Sequence, residues 1–597
     1  MRSFLFTVAL ALFTTLASGA PISHSRRAHH HRRSPCTPSD APADVRLPSI
    51  SLPLTSALFT SLSAPASSAT SMTVSTSVAT ASASASQSPV SAPSSASATA
   101  SSAPAAASSG SASNTAASAA PTASSTTPTN TGDKLVVAHH MIGNVYPYTQ
   151  ADWADDIALA SSSGIDGFAL NMGTDDWQPE RVADAYQAAQ EAGNNFKLFL
   201  SLDMTVWPCN SADSASKLRA LVNKFADHPN QLKMNDRVFV STFSGETCNF
   251  GQGSVADGWK SQFYQHPELA GKIHFVPSFF VDPAQFSQFA DIMDGDFNWN
   301  SAWPIEVTTQ SAQSILSGAK VVSNLASSVA GNVTVDGTSF TSLLGGLSNA
   351  LGPLLGSLDT DEKHLQSLNS LSGNKRDGSK RTYMASASPW FFTHYGKQSF
   401  NKNFLYLSDQ HLYSNRWENL IASRDSFDIV QLLTWNDYGE SHYLGPIKGA
   451  QPKSNAWVDG FDHTAWLAMT QYYATAFKTG AFPAIEKDRL VMWARPHPAR
   501  AQAADPVGPP TNFELTEDAV WAVAITSGPA RVVVNGQSFD VPAGLTRLAV
   551  PLKAGEGMEG SIVRDGAETV QLKPEFTFEA NPKTYNFNAF VAGATQA

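Results

Sequence analysis

Asp437 and Glu440 are two carboxylates three positions apart, and the stretch that holds them, 434–443, follows directly on the apolar run 429–433. An amide, an imidazole and several aromatic rings accompany them within residues 435–443. Acids move protons, flat rings stack on sugar faces and small polar groups bind hydroxyls, so this composition is typical of a site that cleaves glycosidic bonds. The structural alternative is a buried strand that ends in a polar turn. The residues at the other strand ends decide between the two.

Short apolar runs between residues 133 and 443 predict eight strands, and helical patterns separate most of them. This alternation is typical of an α/β protein with a (β/α)8 barrel of the TIM type. A doubly wound open sheet is the alternative, but no glycine-rich phosphate loop follows the first run. The predicted strands are residues 135–141, 165–170, 197–202, 238–242, 273–280, 292–299, 383–388 and 429–435.

The chemistry of such a barrel gathers at the carboxyl ends of its strands. Acids, imidazoles and aromatic rings follow most of the predicted strands, with little lysine or arginine among them. A phosphate or carboxylate substrate would demand those cations, whereas a neutral polyhydroxyl substrate would not. The candidate site residues are His139, His140, Asp203, Glu246, Trp299, Trp390, Asn436, Asp437, Glu440, His442 and Tyr443.

Each candidate has a structural alternative. The adjacent histidines could form a buried, hydrogen-bonded pair, and their spacing from the acids matches no compact metal motif. Asp203 and Glu246 could cap loops or pair with an arginine, and the two tryptophans could belong to the core. A purely structural role is least expected for Asp437 and Glu440. Clustering two acids beside an imidazole and a tyrosine costs free energy, which a functional site can justify. We therefore expect no metal and no organic cofactor.

The composition limits the partners and the compartment. The 597 residues carry 39 Lys and Arg against 50 Asp and Glu, a formal charge of −11. That balance argues against nucleic acid and anionic membranes, which bind a concentrated basic face. Residues 1–20 have the positive start, apolar centre and small-residue end of a secretory signal. Residues 21–132, rich in Ser, Ala, Thr and Pro, predict a disordered stalk. We expect a secreted monomer that can reside in a cell wall.

The remaining segments predict a barrel over residues 133–495 and a small all-β sandwich over residues 496–597. A surface insertion at about 311–358 holds the glycosylation sequon at Asn332. Cys209 and Cys248 lie in one predicted domain and predict a disulfide in an oxidising compartment. Cys36 is left over, next to the basic run 26–33, where either a processing protease cuts after Arg33 or the thiol pairs with another molecule.

Several motifs resemble glycoside hydrolase family 71, the fungal α-1,3-glucanases or mutanases. The resemblance runs from about residue 134 to the C-terminus, and the stalk and the 311–358 insertion depart from it. An insertion on the rim side could change access to the cleft. The matching stretches are VAHHMIGN at 137–144, GIDGFALN at 164–171, FNW at 297–299, SPWFFTHY at 388–395 and WNDYGESHY at 435–443.

The resemblance implies hydrolysis of α-1,3-glucosidic bonds in a polysaccharide, with inversion at the anomeric carbon. One acid protonates the leaving oxygen while a carboxylate roughly 6.5–9.5 Å away activates water. The motif match assigns this pair to Asp437 and Glu440, with a turn at Gly439 that aims both inward. We expect Glu440 to be the acid, with a pKa raised by Asp437 and by the aromatic surroundings. Asp203 and Glu246 are the alternative candidates for the second catalytic carboxyl group.

The other candidates would then bind sugar hydroxyls and sugar faces. The alternative from another functional class is a non-catalytic glucan-binding protein of the cell wall, because an intact barrel could bind the polymer without cutting it. A hydrolase of a different polysaccharide is the third reading. The residues with this expected binding role are His139, His140, Trp299, Trp390, Asn436, His442 and Tyr443.

Overall fold

The computed structural model describes residues 134–312, 354–371 and 380–597, with the short pieces 333–335, 338–340 and residue 351. The predicted signal peptide, stalk, Cys36 and Asn332 lie outside the described residues. Within the predicted insertion, Val333–Val335 and Thr338–Phe340 pair as antiparallel strands. No helix in the described part of the chain is long and apolar enough to cross a membrane.

One large sheet dominates the first part of the described chain. Its parallel strands overlap all eight of the predicted runs, and their order is β5–β4–β3–β2–β1–β8–β7–β6. A two-residue strand, Lys233–Met234, pairs antiparallel with β4. The parallel strands are Leu135–Met141 (β1), Gly167–Met172 (β2), Lys197–Asp203 (β3), Arg237–Phe243 (β4), Ile273–Val276 (β5), Gly295–Asn298 (β6), Thr382–Ala387 (β7) and Ile429–Leu432 (β8).

This sheet curls until its two end strands approach each other. The amide of Asp294, just before β6, donates to the carbonyl of Phe275 at 2.9 Å. The amide of Phe297 donates to the carbonyl of Pro277 at 3.0 Å. Every residue of β2 and β7 is buried, as expected for parallel strands that are covered on both faces. The result is an α/β fold built on a curled parallel sheet.

Helices cover the outer face of the sheet. The first begins at a capping box, in which Thr149 and Asp152 satisfy each other's backbone amides, and it buries Trp153, Ile157 and Ala160 at helical spacing. A 3-10 helix, Pro283–Phe289, follows β5. The α-helices are Gln150–Ser162 (α1), Gln178–Glu191 (α2), Ala212–Phe225 (α3), Val255–Gly258 (α4), Asp359–Ser370 (α5), Leu412–Ala422 (α6), Asn455–Val458 (α7) and Leu467–Thr479 (α8).

Alternation along β1 shows which side chains face the inside of the curl. Val136 and Ala138 belong to the hydrophobic cluster that also holds the buried residues of α1 and α2. Val137 belongs to a second cluster, together with Ala169 of β2 and Phe199 of β3. Since successive side chains of a strand point to opposite faces, His139 lies on the inner face and His140 on the outer one.

The C-terminal part forms two four-stranded antiparallel sheets that share one hydrophobic cluster. Their strand orders are β13–β10–β9–β16 and β12–β11–β14–β15. The strands are Arg489–Ala494 (β9), Ala519–Thr526 (β10), Ala530–Val534 (β11), Gln537–Val541 (β12), Gly544–Pro551 (β13), Gly560–Arg564 (β14), Ala567–Leu572 (β15) and Phe590–Thr595 (β16).

Strand β9 corrects the predicted boundary between the two domains. It pairs with β10 and β16, so the β-sandwich already includes residues before 496. The proline-rich stretch 496–510 connects two strands of the same sheet. A loop of this kind carries the same composition as an interdomain linker, which explains the error.

Candidate active site

The loop after β8 brings Asp437, Glu440 and His442 together. Tyr438–Glu440 form one turn of 3-10 helix, and Ser441 follows with a φ of 59°. The Nε2 atom of His442 lies 3.2 Å from Oδ2 of Asp437 and 3.3 Å from Oε2 of Glu440. The imidazole is fully buried, whereas the two carboxylate side chains are 19% and 22% exposed. Both acids therefore reach solvent while sharing one buried partner.

Gly439 is required in this turn for space. A Cβ atom at this position would overlap the hydroxyl of Tyr395, which donates to the carbonyl of Pro452 at 3.0 Å. The left-handed backbone conformation falls on Ser441 instead. The predicted turn is thus present, but its glycine admits a neighbouring tyrosine rather than supplying a special φ angle.

Lys402 contacts the same cluster, although the sequence pattern did not point to it. Its Nζ atom lies 2.9 Å from Oε1 of Glu440. It directly precedes the strand Asn403–Leu405, which pairs antiparallel with Phe392–His394 after β7. The expectation of a rim with little positive charge therefore needs this correction, because the hairpin delivers a cation from 38 residues away along the chain.

The charges in this cluster stabilise one another. Burial alone would raise the pKa of Glu440, but the hydrogen bond from His442 and the charge of Lys402 lower it to about 2. Burial lowers the pKa of His442, but its hydrogen bonds to Asp437 and Glu440 raise it to about 9. The expected rise in the pKa of Glu440 is therefore wrong, because two cationic donors outweigh burial. At neutral pH Glu440 is a carboxylate and His442 an imidazolium.

Aromatic rings surround the buried imidazolium. The centroid of His442 lies 5.3 Å from that of Trp303, 5.4 Å from Phe391 and 6.4 Å from Trp299. The buried imidazole therefore lies inside a wall of aromatic rings. Trp303 and Phe391 were not among the candidates, although Phe391 lies in the quoted stretch 388–395.

His139 and Trp299 form the floor beside His442. The two rings meet edge to face at 4.8 Å, and Trp299 remains half-buried. The side-chain amide of Gln431 donates to Nδ1 of His139 at 3.0 Å, which leaves the ring proton on Nε2. Burial, together with the charges of His442 and His140, lowers the pKa of His139 to about 3. His139 is therefore a neutral hydrogen-bond donor, and Trp299 offers a partly exposed face.

Asp203 is a third carboxyl group near the cluster. It ends β3, and its Oδ1 atom accepts hydrogen bonds from the amide of Thr205 at 3.1 Å and from its hydroxyl at 2.5 Å. Burial raises its pKa, the charge of Asp437 adds to that rise, and Thr205 and Lys402 oppose it. The electrostatic contacts with Asp437 and Lys402 show that Asp203 faces the same rim.

The structure gives Glu246 and His140 structural contacts. Glu246 accepts from the hydroxyl of Ser244 at 3.0 and 3.1 Å and from the amide of Phe280 at 3.2 Å, so it ties two rim loops together. His140 is fully buried on the outer face, 3.3 Å from a carboxylate oxygen of Asp156 in α1. A residue in that layer has no surface to offer a sugar, so the binding role expected of His140 is wrong.

Three further candidates hold the frame of the site instead of facing it. Asn436 exchanges two hydrogen bonds with the backbone of Met141, at 2.7 and 3.1 Å. Tyr443 stacks on His463 at 4.0 Å. Trp390 donates from its ring nitrogen to a backbone carbonyl close to β16, at 2.9 Å. All three candidates are buried to 1% exposure or less, so the expected contacts with sugar do not fit their positions.

A disulfide joins Cys209 to Cys248. It connects the loop after β3, which follows Asp203, to the loop after β4, which holds Glu246. The covalent link therefore restrains two neighbouring loops on the rim.

Asp437, Glu440 and His442 also form the one group among the described residues whose ligand atoms could hold a metal ion, with those atoms within 4.8 Å of one another. The donor set of one imidazole and two carboxylates is one that divalent cations accept. A ligating imidazole must be unprotonated at the binding nitrogen, however, and Nε2 of His442 already bonds to both acids. With Lys402 adding a second positive charge, the cluster is balanced without a metal.

Comparison with known proteins identifies the family. The sequence model of glycosyl hydrolase family 71 matches residues 132–597. The chain belongs to this family. Within family 71 it is 36% identical over 467 residues to the glucan endo-1,3-alpha-glucosidase agn1 of Schizosaccharomyces pombe, covering 77% of this chain and 94% of that protein. It is 29% identical over 475 residues to a mutanase of Penicillium rubens, covering 78% of this chain and 89% of that protein.

Two further similarities complete the comparison. The ascus wall endo-1,3-alpha-glucanase of Schizosaccharomyces pombe is 31% identical over 418 residues, which is 68% of this family 71 chain and 82% of that protein. Among solved structures, the GH99 endo-alpha-mannosidase of Bacteroides thetaiotaomicron superposes with a TM-score of 0.37 at 11% identity, covering 59% of this chain and all of that one. A similarity at that level adds nothing to the assignment.

Proposed function

We propose that this family 71 protein is a secreted hydrolase of α-1,3-glucan that inverts the configuration at the anomeric carbon. The observation that carries the proposal is the cluster of two solvent-reaching carboxylates, Asp437 and Glu440, around one buried imidazolium. Two acids with controlled protonation are the equipment of glycoside hydrolysis. The names of the relatives supply the substrate, since three of them are α-1,3-glucanases or mutanases by name.

In the proposed reaction, Glu440 activates water and Asp437 is the first choice as proton donor. The water-activating group has to be a carboxylate at working pH, and the contacts of Glu440 with His442 and Lys402 keep it in that form. This reverses the role expected from the sequence. The half-buried ring of Trp299 would bind the sugar next to the scissile bond, and the buried His139 would hold that ring in place through their edge-to-face contact.

The spacing of the carboxyl groups makes Asp203 the second choice as donor. The contacting atoms of Asp437 and Glu440 lie within 4.8 Å of each other, whereas an inverting pair needs about 6.5–9.5 Å to hold a water between them. Either Asp437 turns away from His442 when glucan binds, or Asp203 donates the proton. Burial raises the pKa of Asp203, which suits a donor.

A glucosyl fluoride separates these roles, because fluoride leaves without protonation. A variant that lacks the proton donor should keep most of its activity on an α-1,3-linked oligoglucosyl α-fluoride while it loses activity on glucan. A variant that lacks the base should lose both. We expect Glu440→Gln to behave as the base variant and Asp437→Asn as the donor variant. If Asp437→Asn retains full activity on glucan and Asp203→Asn does not, Asp203 is the donor.

The architecture and location complete the proposal. We propose that the curled sheet is a closed (β/α)8 barrel, supported by the two backbone hydrogen bonds between the β5 and β6 regions. The signal at residues 1–20 and the stalk at 21–132 support export, with the enzyme acting at a cell wall.

The experiment that tests the function is incubation of the full chain with insoluble α-1,3-glucan, with parallel assays on β-1,3-glucan and α-1,4-glucan. We expect soluble sugars from α-1,3-glucan alone. If the protein sediments with the α-1,3-glucan but releases no sugar, it is a wall-binding protein. Release of sugar from another polymer instead would show a hydrolase of a different polysaccharide. Glu440→Gln serves as the inactive control.

A further inference from the structure

Lys402 contacts Glu440 at 2.9 Å although it lies outside the stretches that match the family motifs. We propose that Lys402 is a positioning residue that keeps Glu440 ionised and in place, and that the segment 496–511 holds Lys402 there. This inference rests on the proposed role of Glu440. Because this segment connects two strands of the C-terminal β-sandwich, the sandwich would also help to position a residue of the active site.

The backbone of Lys402 is fixed although its side chain is half exposed. Its carbonyl accepts a hydrogen bond from the amide of Tyr395 at 2.6 Å, which extends the hairpin by one pair beyond His394 and Asn403. The side chain is 52% exposed, and its Nζ atom lies 2.9 Å from Glu440. The contact is therefore made by a flexible side chain that starts from a rigid point.

The segment 496–511 braces this hairpin from the other side. The amide of Thr511 donates to the carbonyl of Asn403 at 3.0 Å, and the amide of Leu405 donates to the carbonyl of Thr511 at 3.1 Å. The side-chain amide of Asn403 donates to the carbonyls of Gly508 and Pro509, at 3.1 and 3.2 Å. The hairpin thus gains a third strand from the connection between β9 and β10.

A histidine and an aspartate lock the same junction. Nε2 of His394 lies 2.8 Å from Oδ2 of Asp505, and that oxygen also accepts from the amide of Tyr585 at 3.0 Å. Nδ1 of His394 lies 2.8 Å from Oδ1 of Asn403. Both ends of the short strand pair are therefore tied to the C-terminal part of the chain. Movement of the sandwich would carry Lys402 away from Glu440.

The local charge balance explains why a cation is needed here. Three carboxyl groups, Asp203, Asp437 and Glu440, face the rim, against Lys402 and His442. The charge of Glu440 raises the pKa of Lys402, and the charges of Asp437 and Asp203 add to it, although burial opposes them. Without Lys402, the remaining negative charge would favour protonation of Glu440. The charged or titratable groups that face Glu440 are Lys402, His442, Asp437, Tyr395 and Tyr406.

The alternative is an ordinary surface ion pair. Pairs in which one partner is half exposed contribute little to stability, so removal of Lys402 should leave the melting temperature almost unchanged in either case. The two interpretations differ in the pH dependence of the reaction. If the ion pair has no catalytic part, removal of Lys402 leaves the acidic midpoint of kcat/KM unchanged.

The test compares Lys402→Met with Lys402→Arg and with Lys397→Met, an exposed lysine in the same hairpin loop. The dependence of kcat/KM on pH is measured on soluble α-1,3-oligoglucosides. We expect the acidic midpoint of Lys402→Met to rise by about one pH unit or more, since an opposite charge at this distance lowers a carboxyl pKa by that amount. Lys402→Arg should restore the wild-type midpoint, and Lys397→Met should not move it.

A second readout keeps this inference separate from the proposed function. The carboxyl carbon of Glu440, assigned by its loss in Glu440→Gln, is titrated by 13C NMR in the wild type and in Lys402→Met. The same rise in midpoint is expected there, whatever the protein hydrolyses. An unchanged titration of Glu440 in Lys402→Met would overturn the inference, and so would a uniform loss of rate without a shift. Absence of glucan hydrolysis by the wild type would overturn only the function.

The role of segment 496–511 is tested by Asn403→Ala, which removes both side-chain bonds to that segment. We expect a rise in the acidic midpoint in the same direction as in Lys402→Met but smaller, because the backbone pairing with Thr511 remains. Gln398→Ala, an exposed position in the same loop, is the control. A folded Asn403→Ala protein with the wild-type midpoint would show that the segment does not hold Lys402.

Discussion

His442 carries a positive charge in a fully buried position, so the stability of the fold should depend on pH through this group. Burial lowers its pKa, but hydrogen bonds to Asp437 and Glu440 raise it from 6.5 to about 9. Each pKa unit corresponds to about 1.4 kcal/mol, so the rise amounts to roughly 3 kcal/mol. Because the folded pKa is the higher one, this stability is fully present below pH 6.5 and is lost as the pH rises through 9.

The perturbation is His442→Gln, which keeps a side-chain donor but cannot take up a proton. The free energy of unfolding of the full chain is measured by urea denaturation between pH 5 and 10. We expect the advantage of the wild type over the variant to shrink by roughly 3 kcal/mol across this range. A difference between wild type and His442→Gln that stays constant with pH would refute a protonated His442.

Three further predictions follow from the contacts of the site. Gly439→Ala should lower kcat on α-1,3-glucan at least about tenfold by displacing Tyr395, and Tyr395→Phe in the same chain should restore part of it, since it removes the overlapping hydroxyl. Trp390→Phe should destabilise the protein by about 1 kcal/mol in urea denaturation, with KM unchanged, because it loses one buried hydrogen bond to Phe587. Trp299→Ala should raise KM for oligoglucosides several-fold and should also lower the melting temperature, because its half-buried ring faces the site and packs against His139 and Phe243.

The strands of the large sheet could be predicted because burial on both faces leaves its mark on the sequence. Runs such as residues 135–141 are apolar at nearly every position, and all eight were found within a few residues of their observed ends. The strands of the sandwich are harder to predict, because its edge strands mix polar and apolar residues. Strand β12, Gln537–Val541, has three exposed residues of five and carries no clear apolar pattern.

The candidate site could be predicted only as far as the loop after β8. Asp437, Glu440 and His442 lie within six residues, so their proximity follows from the chain itself. The choice between His139 and His140 also lay within reach, because neighbouring residues of a strand point to opposite faces. Only His139 shares the inner face, which the alternation along β1 could have indicated.

Lys402 and the ionisation of Glu440 could not be predicted. The contact depends on how a hairpin after β7 folds over the rim, and no local pattern encodes a distance of 2.9 Å between residues that far apart. From the sequence alone, the aromatic surroundings of Glu440 predict a raised pKa, because the sequence does not show which donors lie beside this carboxylate. Two cations within hydrogen-bond distance reverse the sign of that shift.

The most direct test of the central claim follows the anomeric configuration of the first sugar released. Soluble α-1,3-oligoglucoside is incubated with wild type and with Glu440→Gln in an NMR tube, and the anomeric protons are recorded before mutarotation proceeds. We expect wild type to release the β-anomer first and Glu440→Gln to release almost none. An α-anomer as the first product, or an undiminished rate in Glu440→Gln, would contradict it.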